Sequence, residues 1–281
     1  MGTSCFELIL SRDVHIMLDP YMDDSHNSPI TTEEIARCDY IFLTHGHWDH
    51  VLDVGKLANR FFPKIFCNSA TSGALIEHQQ IAPELITEIT IGDTVKEQKF
   101  IVEVLLGVHT NAAREYKRLT GKDMPKPEDF KDEKERLREI IRTANGNAQM
   151  HEKYPEWRKM YPTGGEQLNF VFEGKDGQRL YVAGSYPDPQ VLETAKKASA
   201  DITLLQCMSA NKLKGIEQDT ADVAINSGCK TVVPQHHDPI HKGGTKTDLT
   251  ELKHILKERS DIVFLEMTPG KWYSFENGYR A

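Results

Sequence analysis

The sequence predicts a mixed α/β fold in which two β-sheets pack face to face with helices on their outer sides. Two observations carry this. Each half of the chain opens with a hairpin pattern, at residues 6–18 and 167–183, and then passes into alternating strand and helix patterns. The strand runs are short and apolar, and a two-sheet stack with outer helices buries them all. At 281 residues, with 39% hydrophobic and 27% charged, the composition is that of an ordinary globular protein with enough chain for a sizeable core.

The elements follow in order. Residues 6–10 and 14–18, joined by Ser11-Arg12-Asp13, make the first hairpin and lead to Asp19-Pro20. After a loop to Pro29, Thr32 is placed to cap a short helix with Glu33 and Glu34 in its first turn. Residues 39–43 form an apolar run rich in aromatic and branched side chains, the signature of a buried strand. An amphipathic helix is expected over about 52–60, a strand over 64–67, and a helix capped by Ser69 and running through His78. Further strands, clearest over 99–106, end at Gly107-Val108-His109. Residues 110–165 are rich in Lys, Arg and Glu, with helical spacing over 128–142, few core-forming residues and a Pro162-Thr163-Gly164-Gly165 end. This segment reads as a helical insertion, so residues 1–281 are expected to form one domain. A second hairpin spans 167–173 and 179–183 around Lys175-Asp176-Gly177. Helices near 188–197, 220–227 and 248–257 then alternate with strands at 202–207, 231–234, 262–265 and 271–275.

Composition excludes some functions. A formal charge of −8 opposes a broad nucleic-acid footprint, which needs an excess of Lys and Arg. No apolar run reaches the length of a membrane span, and the first residues lack a basic-then-apolar leader. Cys5, Cys38, Cys67, Cys207 and Cys229 are scattered without a Cys-x-x-Cys. Buried reduced thiols in a cytoplasmic protein are the expectation.

The informative stretch is Thr44-His45-Gly46-His47-Trp48-Asp49-His50. Three imidazoles and a carboxylate leave the carboxyl end of a strand, where open α/β sheets build their sites. His45 and His47 are two apart, so an extended backbone aims both the same way. Asp49 and His50 lie on the turn into the next helix and can address a second ion. Neutral imidazole mixed with one hard oxygen suits a borderline cation such as zinc. Trp48 reads as a cover for this loop, and His15, His26, His78, His151 and His254 as structural or surface residues.

Motif and layout together resemble the metallo-β-lactamase superfamily, whose His-x-His-x-Asp-His pattern stands here as His45, His47, Asp49 and His50. The resemblance spans nearly all the chain outside residues 110–165 and implies a four-layer αββα sandwich. It implies further ligands at His109 and His236, with His237 as an alternative ligand or a substrate-facing donor. The family's leading aspartate matches Asp19, expected to support a ligating imidazole rather than bind metal. The usual metal-bridging aspartate is replaced: the matching stretch is Ala183-Gly184-Ser185-Tyr186, with Ser185 in its place. Asp188 is a candidate substitute. Asp19-Pro20-Tyr21 and the Pro-x-His ending are most similar to the lactonase-like branch, which includes ascorbate-6-phosphate lactonases.

The expected activity is therefore metal-dependent hydrolysis of a small ester, lactone or phosphorylated metabolite, with one or two zinc ions and manganese as the alternative. Asp49 would orient the attacking water and accept its proton. The expected partner is a small, anionic molecule rather than nucleic acid or membrane. Arg114, Lys117 and Arg118 are placed to neutralise such an anion if residues 110–165 wall the site; the alternative is a dimerisation arm or a solvated hairpin. Phosphodiesterase or nuclease chemistry is the rival within enzymes. A metal-binding regulatory module without turnover is the rival outside them.

Overall fold

Two sheets form the centre of the molecule. In the first, β1 (Phe6–Leu10) pairs antiparallel with β2 (Val14–Leu18), and β3 (Tyr40–Phe42), β4 (Lys64–Cys67) and β5 (Ile86–Glu88) follow in parallel, in that spatial order. The second sheet begins with β6 (Thr94–Lys96), β7 (Phe100–Gly107), β8 (Gln167–Gly174) and β9 (Arg179–Ala183), each antiparallel to the last. It continues in parallel through β10 (Ile202–Gln206), β11 (Thr231–Gln235) and β12 (Val263–Phe264). Each half thus opens with antiparallel pairing and then turns parallel. The computed structural model describes residues 2–10, 13–146, 148–161, 165–208 and 213–281. Ser11 and Arg12 of the first hairpin, and Pro162-Thr163-Gly164, lie outside the described residues.

Successive side chains on a strand face opposite ways, and both faces are apolar here. Ile16, Leu18, Phe42 and Phe66 meet Phe170, Phe172, Val182, Leu204 and Val233 between the sheets. Phe42 is the hub: its ring stacks on Phe66 at 4.6 Å and meets Phe172 edge-on at 5.0 Å. The alternate residues, Met17, Ile41 and Ile65, face outward to α1 (Trp48–Val51), α2 (Val54–Phe61) and α3 (Ser69–Gln79). The central segment supplies α4 (Ala112–Thr120), α5 (Glu133–Asn145) and α6 (Tyr154–Met160). On the far side, Val171, Tyr181 and Val232 face α7 (Pro189–Ala195), α8 (Glu217–Ser227) and α9 (Thr250–Arg259). The result is helix, sheet, sheet, helix. No helix among the described residues is long and apolar enough to cross a membrane.

Several boundaries differ from expectation, each for a local reason. The helix expected over about 52–60 is α2, and it begins only at Val54, after a separate short helix α1, because Asp53 leaves the helical path to accept the Met22 and Asp23 amides at 2.6 and 3.0 Å. The 3-10 turn at Thr32–Glu34 is capped by Thr31 rather than Thr32, whose hydroxyl is taken by Asp23 at 2.8 Å. Asn68, not Ser69, caps α3, accepting the Thr71 amide at 2.8 Å. The last expected strand shrinks to a small hairpin, β13 (Phe275–Glu276) with β14 (Tyr279–Arg280), turned at Gly278 with φ +82°.

The central segment is less polar in effect than its composition suggests. β7 and β8 pair up to Gly107 opposite Gln167, so the chain between them leaves and returns at one strand end. Trp157 and Tyr161 of this segment join the core beneath the first sheet's helices. Trp157 stacks on Trp48 at 5.0 Å and fastens α6 over the His-rich loop.

Candidate metal centre

All the expected donors sit where strands end. His45 follows β3, His109 follows β7 and His236 follows β11. His47 immediately precedes α1, whose first turn carries Asp49 and His50. His236 turns back through a left-handed backbone, φ +56°, held by its amide on the Thr3 carbonyl at 2.8 Å. Such a conformation costs a non-glycine residue on the order of 1 kcal/mol, and functional sites are where it persists. Gly107 is required for the close approach of these ends, since a Cβ there would lie 2.6 Å from Gln167 Cγ and Ser185 Oγ.

The donors fall into two groups, His45 with His47 and His109, and Asp49 with His50 and His236. Within each group the donor atoms lie within 4.8 Å of one another. The groups adjoin, with the His45 and His50 ring centroids 4.1 Å apart. His109 Nε2 faces His47 Nδ1 at 3.2 Å, and His236 Nε2 stands 3.2 Å from Asp49 Oδ2.

Hydrogen bonds at the back of the rings fix which nitrogen is left for a cation. His50 Nδ1 donates to Asp19 Oδ2 at 2.8 Å, and the Thr44 hydroxyl donates to the same oxygen at 2.7 Å. With its proton spent there, Thr44 Oγ1 accepts from His45 Nδ1 at 3.0 Å. His109 Nδ1 donates to the Thr110 carbonyl at 2.9 Å. In all three rings Nδ1 carries the proton and the Nε2 lone pair faces inward. His45 Nε2 is buried with no hydrogen-bond partner among the described residues. An orphaned, deprotonated imidazole nitrogen beside four other imidazoles and a carboxylate fits a bound divalent cation.

Electrostatics agree. Burial, reinforced by the neighbouring imidazoles, pushes His45 well below the ordinary histidine range, and burial brings His47 down to about 3. Both rings are therefore neutral, as ligands must be. Burial also opposes charge on Asp49, but His50, His236 and His47 outweigh it and hold the carboxyl well below its usual range. His50 goes the other way: burial lowers it, yet Asp19 and Asp49 raise it above the ordinary value. The centre thus sets one firmly anionic oxygen beside the neutral rings of His45 and His47.

Other expected residues end up elsewhere. Ser185 donates its hydroxyl to Asn169 Oδ1 at 2.8 Å and accepts the Val108 amide at 3.2 Å. It is not among the residues lining the cavity over the centre. Asp188 is occupied as the cap of α7, accepting the Gln190 amide, so it does not replace the missing aspartate. His237 lines a separate cavity beside β1 and the C-terminal segment, because the turn at His236 sends consecutive rings to opposite sides. The basic residues expected at the rim are committed elsewhere: Arg118 to Glu115 at 2.6 Å, Lys117 to Asp123 at 2.8 Å, and Arg114 over the Tyr186 ring at 4.3 Å. Trp48 both covers the loop and lines the cavity.

The cavity above the centre, about 720 Å³, is lined by His241, which flanks the last ligand in sequence, and by three residues that sequence reasoning did not single out: Tyr154, Arg158 and Gln167. Tyr154 packs on Trp48 at 5.5 Å and on His241 at 5.0 Å. Tyr154 and Arg158 are four apart, so one helical turn puts them on one face of α6. That spacing was readable, but nothing local says α6 lies against the His-rich loop.

Comparison with known proteins follows the same line. A family model described as the metallo-beta-lactamase superfamily matches residues 3–195, a span that takes in every donor except His236. A metal-dependent hydrolase of Koribacter versatilis is 26% identical over 110 residues, which is 39% of this chain and 46%, about half, of that relative's length. A metal-dependent hydrolase of an Anaeromyxobacter species is 24% identical over 282 residues, covering 98% of this chain and 85% of the relative. Among solved structures, Igni18, a metallo hydrolase from the archaeon Ignicoccus hospitalis, superposes with a TM-score of 0.64 at 16% identity, covering 98% of this chain and 96% of that one. An isothiocyanate hydrolase from Delia radicum gut bacteria gives 0.61 at 15% identity, covering 98% and 97%. At such identities the structures speak to the fold alone. With the family model matched over more than half its length, the chain belongs to the metallo-beta-lactamase superfamily.

Proposed function

We propose that this chain is a metal-dependent hydrolase acting on a small ester or lactone. The observation that carries the reading is the pair of donor groups, each within 4.8 Å, meeting at the strand ends beneath an open cavity. Zinc suits a set of neutral imidazoles with one carboxylate, and the absence of a shared bridging carboxylate weakens the case for a harder ion such as manganese. When bound, the ion supplies Lewis acidity, lowering the pKa of a water and polarising the scissile carbonyl.

The chain's own groups do the rest. Asp19 and Thr44 hold His50 and His45 in the ligating tautomer. Asp49, anionic throughout the neutral range, accepts a hydrogen bond from the attacking water and so fixes its line of approach. The water oxygen bonds to the carbonyl carbon, the carbon–oxygen ester bond breaks, and the water's proton passes by way of Asp49 to the departing alkoxide. An anionic substrate is favoured by Arg158, which lines the cavity and makes no ion pair to an acid among the described residues.

Elemental analysis of freshly purified protein, followed by assays on esters, lactones, thioesters and phosphodiesters, tests this. Turnover on an ester or lactone that falls at least about 100-fold in Asp49→Asn is expected. Metal-replete protein inert on every class would overturn the reading in favour of a binding module, and turnover on phosphodiesters alone in favour of a nuclease-type enzyme.

A further inference from the structure

The apolar side chains of α4 and α5 pose a question that the three cores leave open. Leu137, Ile140, Ile141 and Ala144 follow the i, i+3, i+4, i+7 spacing of a helix stripe meant for burial. Yet Leu137 and Ile141, although buried, belong to none of the three hydrophobic cores, and neither does Tyr116 of α4. All of them line the cavity above the metal centre instead. While α6 of this charged segment packs on the body of the protein through Trp157 and Tyr161, α5 has turned its apolar stripe toward the donors. The polar groups of the cavity are the donors themselves, Arg158 and Tyr154 on α6, and Glu115 of α4 and Arg136 of α5, which flank the apolar stripe.

Resting on the hydrolase reading, we propose that the substrate is an ester or lactone whose acyl part is an extended apolar chain, seated against the α5 stripe with its carbonyl at the metal centre. Water left against Ile140 and Ala144, the half-buried members of the stripe, is released when such a chain enters, and the gain rises with the number of methylenes buried. A short, fully polar substrate would leave this wall wet and unused. The α5 face acts as the chain-length gauge, and Ile140, half-buried on the cavity side, is the residue best placed to set it.

The test uses zinc-loaded protein and straight-chain carboxylates as product-like probes, read by calorimetry. Octanoate is expected to bind at least tenfold more tightly than acetate, with butanoate between. Ile140→Trp, which fills the cavity from α5, should remove that preference while leaving metal content unchanged. Ala144→Met, a milder filling, should reduce it in the same direction and guards against a misfolded tryptophan variant. Equal affinity for acetate and octanoate, or a preference untouched by both variants, overturns the proposal. Para-nitrophenyl esters of the same acids separate the two levels. Turnover without chain-length dependence sinks the acyl pocket and keeps the hydrolase. Chain-length-dependent binding without turnover on any ester keeps the pocket and sinks the hydrolase.

Discussion

Asp19 Oδ2 lies 2.8 Å from His50 Nδ1, with both side chains almost wholly buried. Asp19 itself sits in a left-handed backbone, φ +43°, directly after β2. Its other oxygen accepts the Thr44 amide at 2.8 Å, so one carboxylate fixes both the start of the His-rich loop and the tautomer of a ring in it. Asp19→Ala is expected to weaken zinc binding about 10- to 100-fold, as loss of such orienting partners typically does. Competition with a chromogenic chelator measures this, and an unchanged affinity would remove Asp19 from the site.

His236 and His237 are neighbours in sequence but face different cavities. Alanine at His236, His45 or His109 should lower the zinc content of the purified protein, whereas His237→Ala and His78→Ala should not. Loss of metal in His237→Ala would place the wrong imidazole at the centre.

Ser185 holds Asn169 and the Val108 amide rather than facing the cavity. Ser185→Ala should therefore leave zinc content unchanged and lower unfolding stability by about 1 kcal/mol, the typical worth of one buried hydrogen bond. Chemical denaturation beside elemental analysis separates the two effects. A drop in bound metal with unchanged stability would show the hydroxyl serving the ion.

Asp201 offers a pH signature away from the metal. Partial burial raises its carboxyl, but Lys230 Nζ at 2.7 Å and the Arg179 amide at 2.9 Å outweigh this and hold it below the usual range. A pKa lowered by folding stabilises the protein above the unfolded-state value, and that contribution is lost as pH falls through the folded one. The parent should exceed Asp201→Asn by roughly 0.5–1 kcal/mol at pH 7, a figure kept small because the pair is partly solvated. The gap should close below about pH 4, near the unfolded-state carboxyl value. A gap independent of pH would mean the pair contributes through shape alone.

The strand positions and the four layers were legible because each strand alternates between two apolar faces. Ile16 and Met17, or Phe42 and Ile41, differ in which core they enter, not in whether they are buried. Caps were misplaced by one residue at Thr32 and Ser69 because several side chains nearby are chemically able to cap. Asp23 and Asn68, reached through longer-range contacts, decided which one did. The central segment was misjudged because Trp157 and Tyr161 find their partners in the His-rich loop and α3, far away in sequence.

What the sequence determined by itself is the chemistry of the centre. Four donors within six residues cannot be far apart in any fold, so their covalent spacing alone announces a cation site. What only the tertiary structure decided is everything that depends on direction. The backbone turn at His236 chooses it over His237, the Asn169 hydrogen bond turns Ser185 aside, and ion pairs draw Arg118 and Lys117 away from the cavity that Arg158 enters. The reason is physical: residue type fixes what a side chain can bind, but its aim is set by backbone angles and by partners brought close only when distant segments pack.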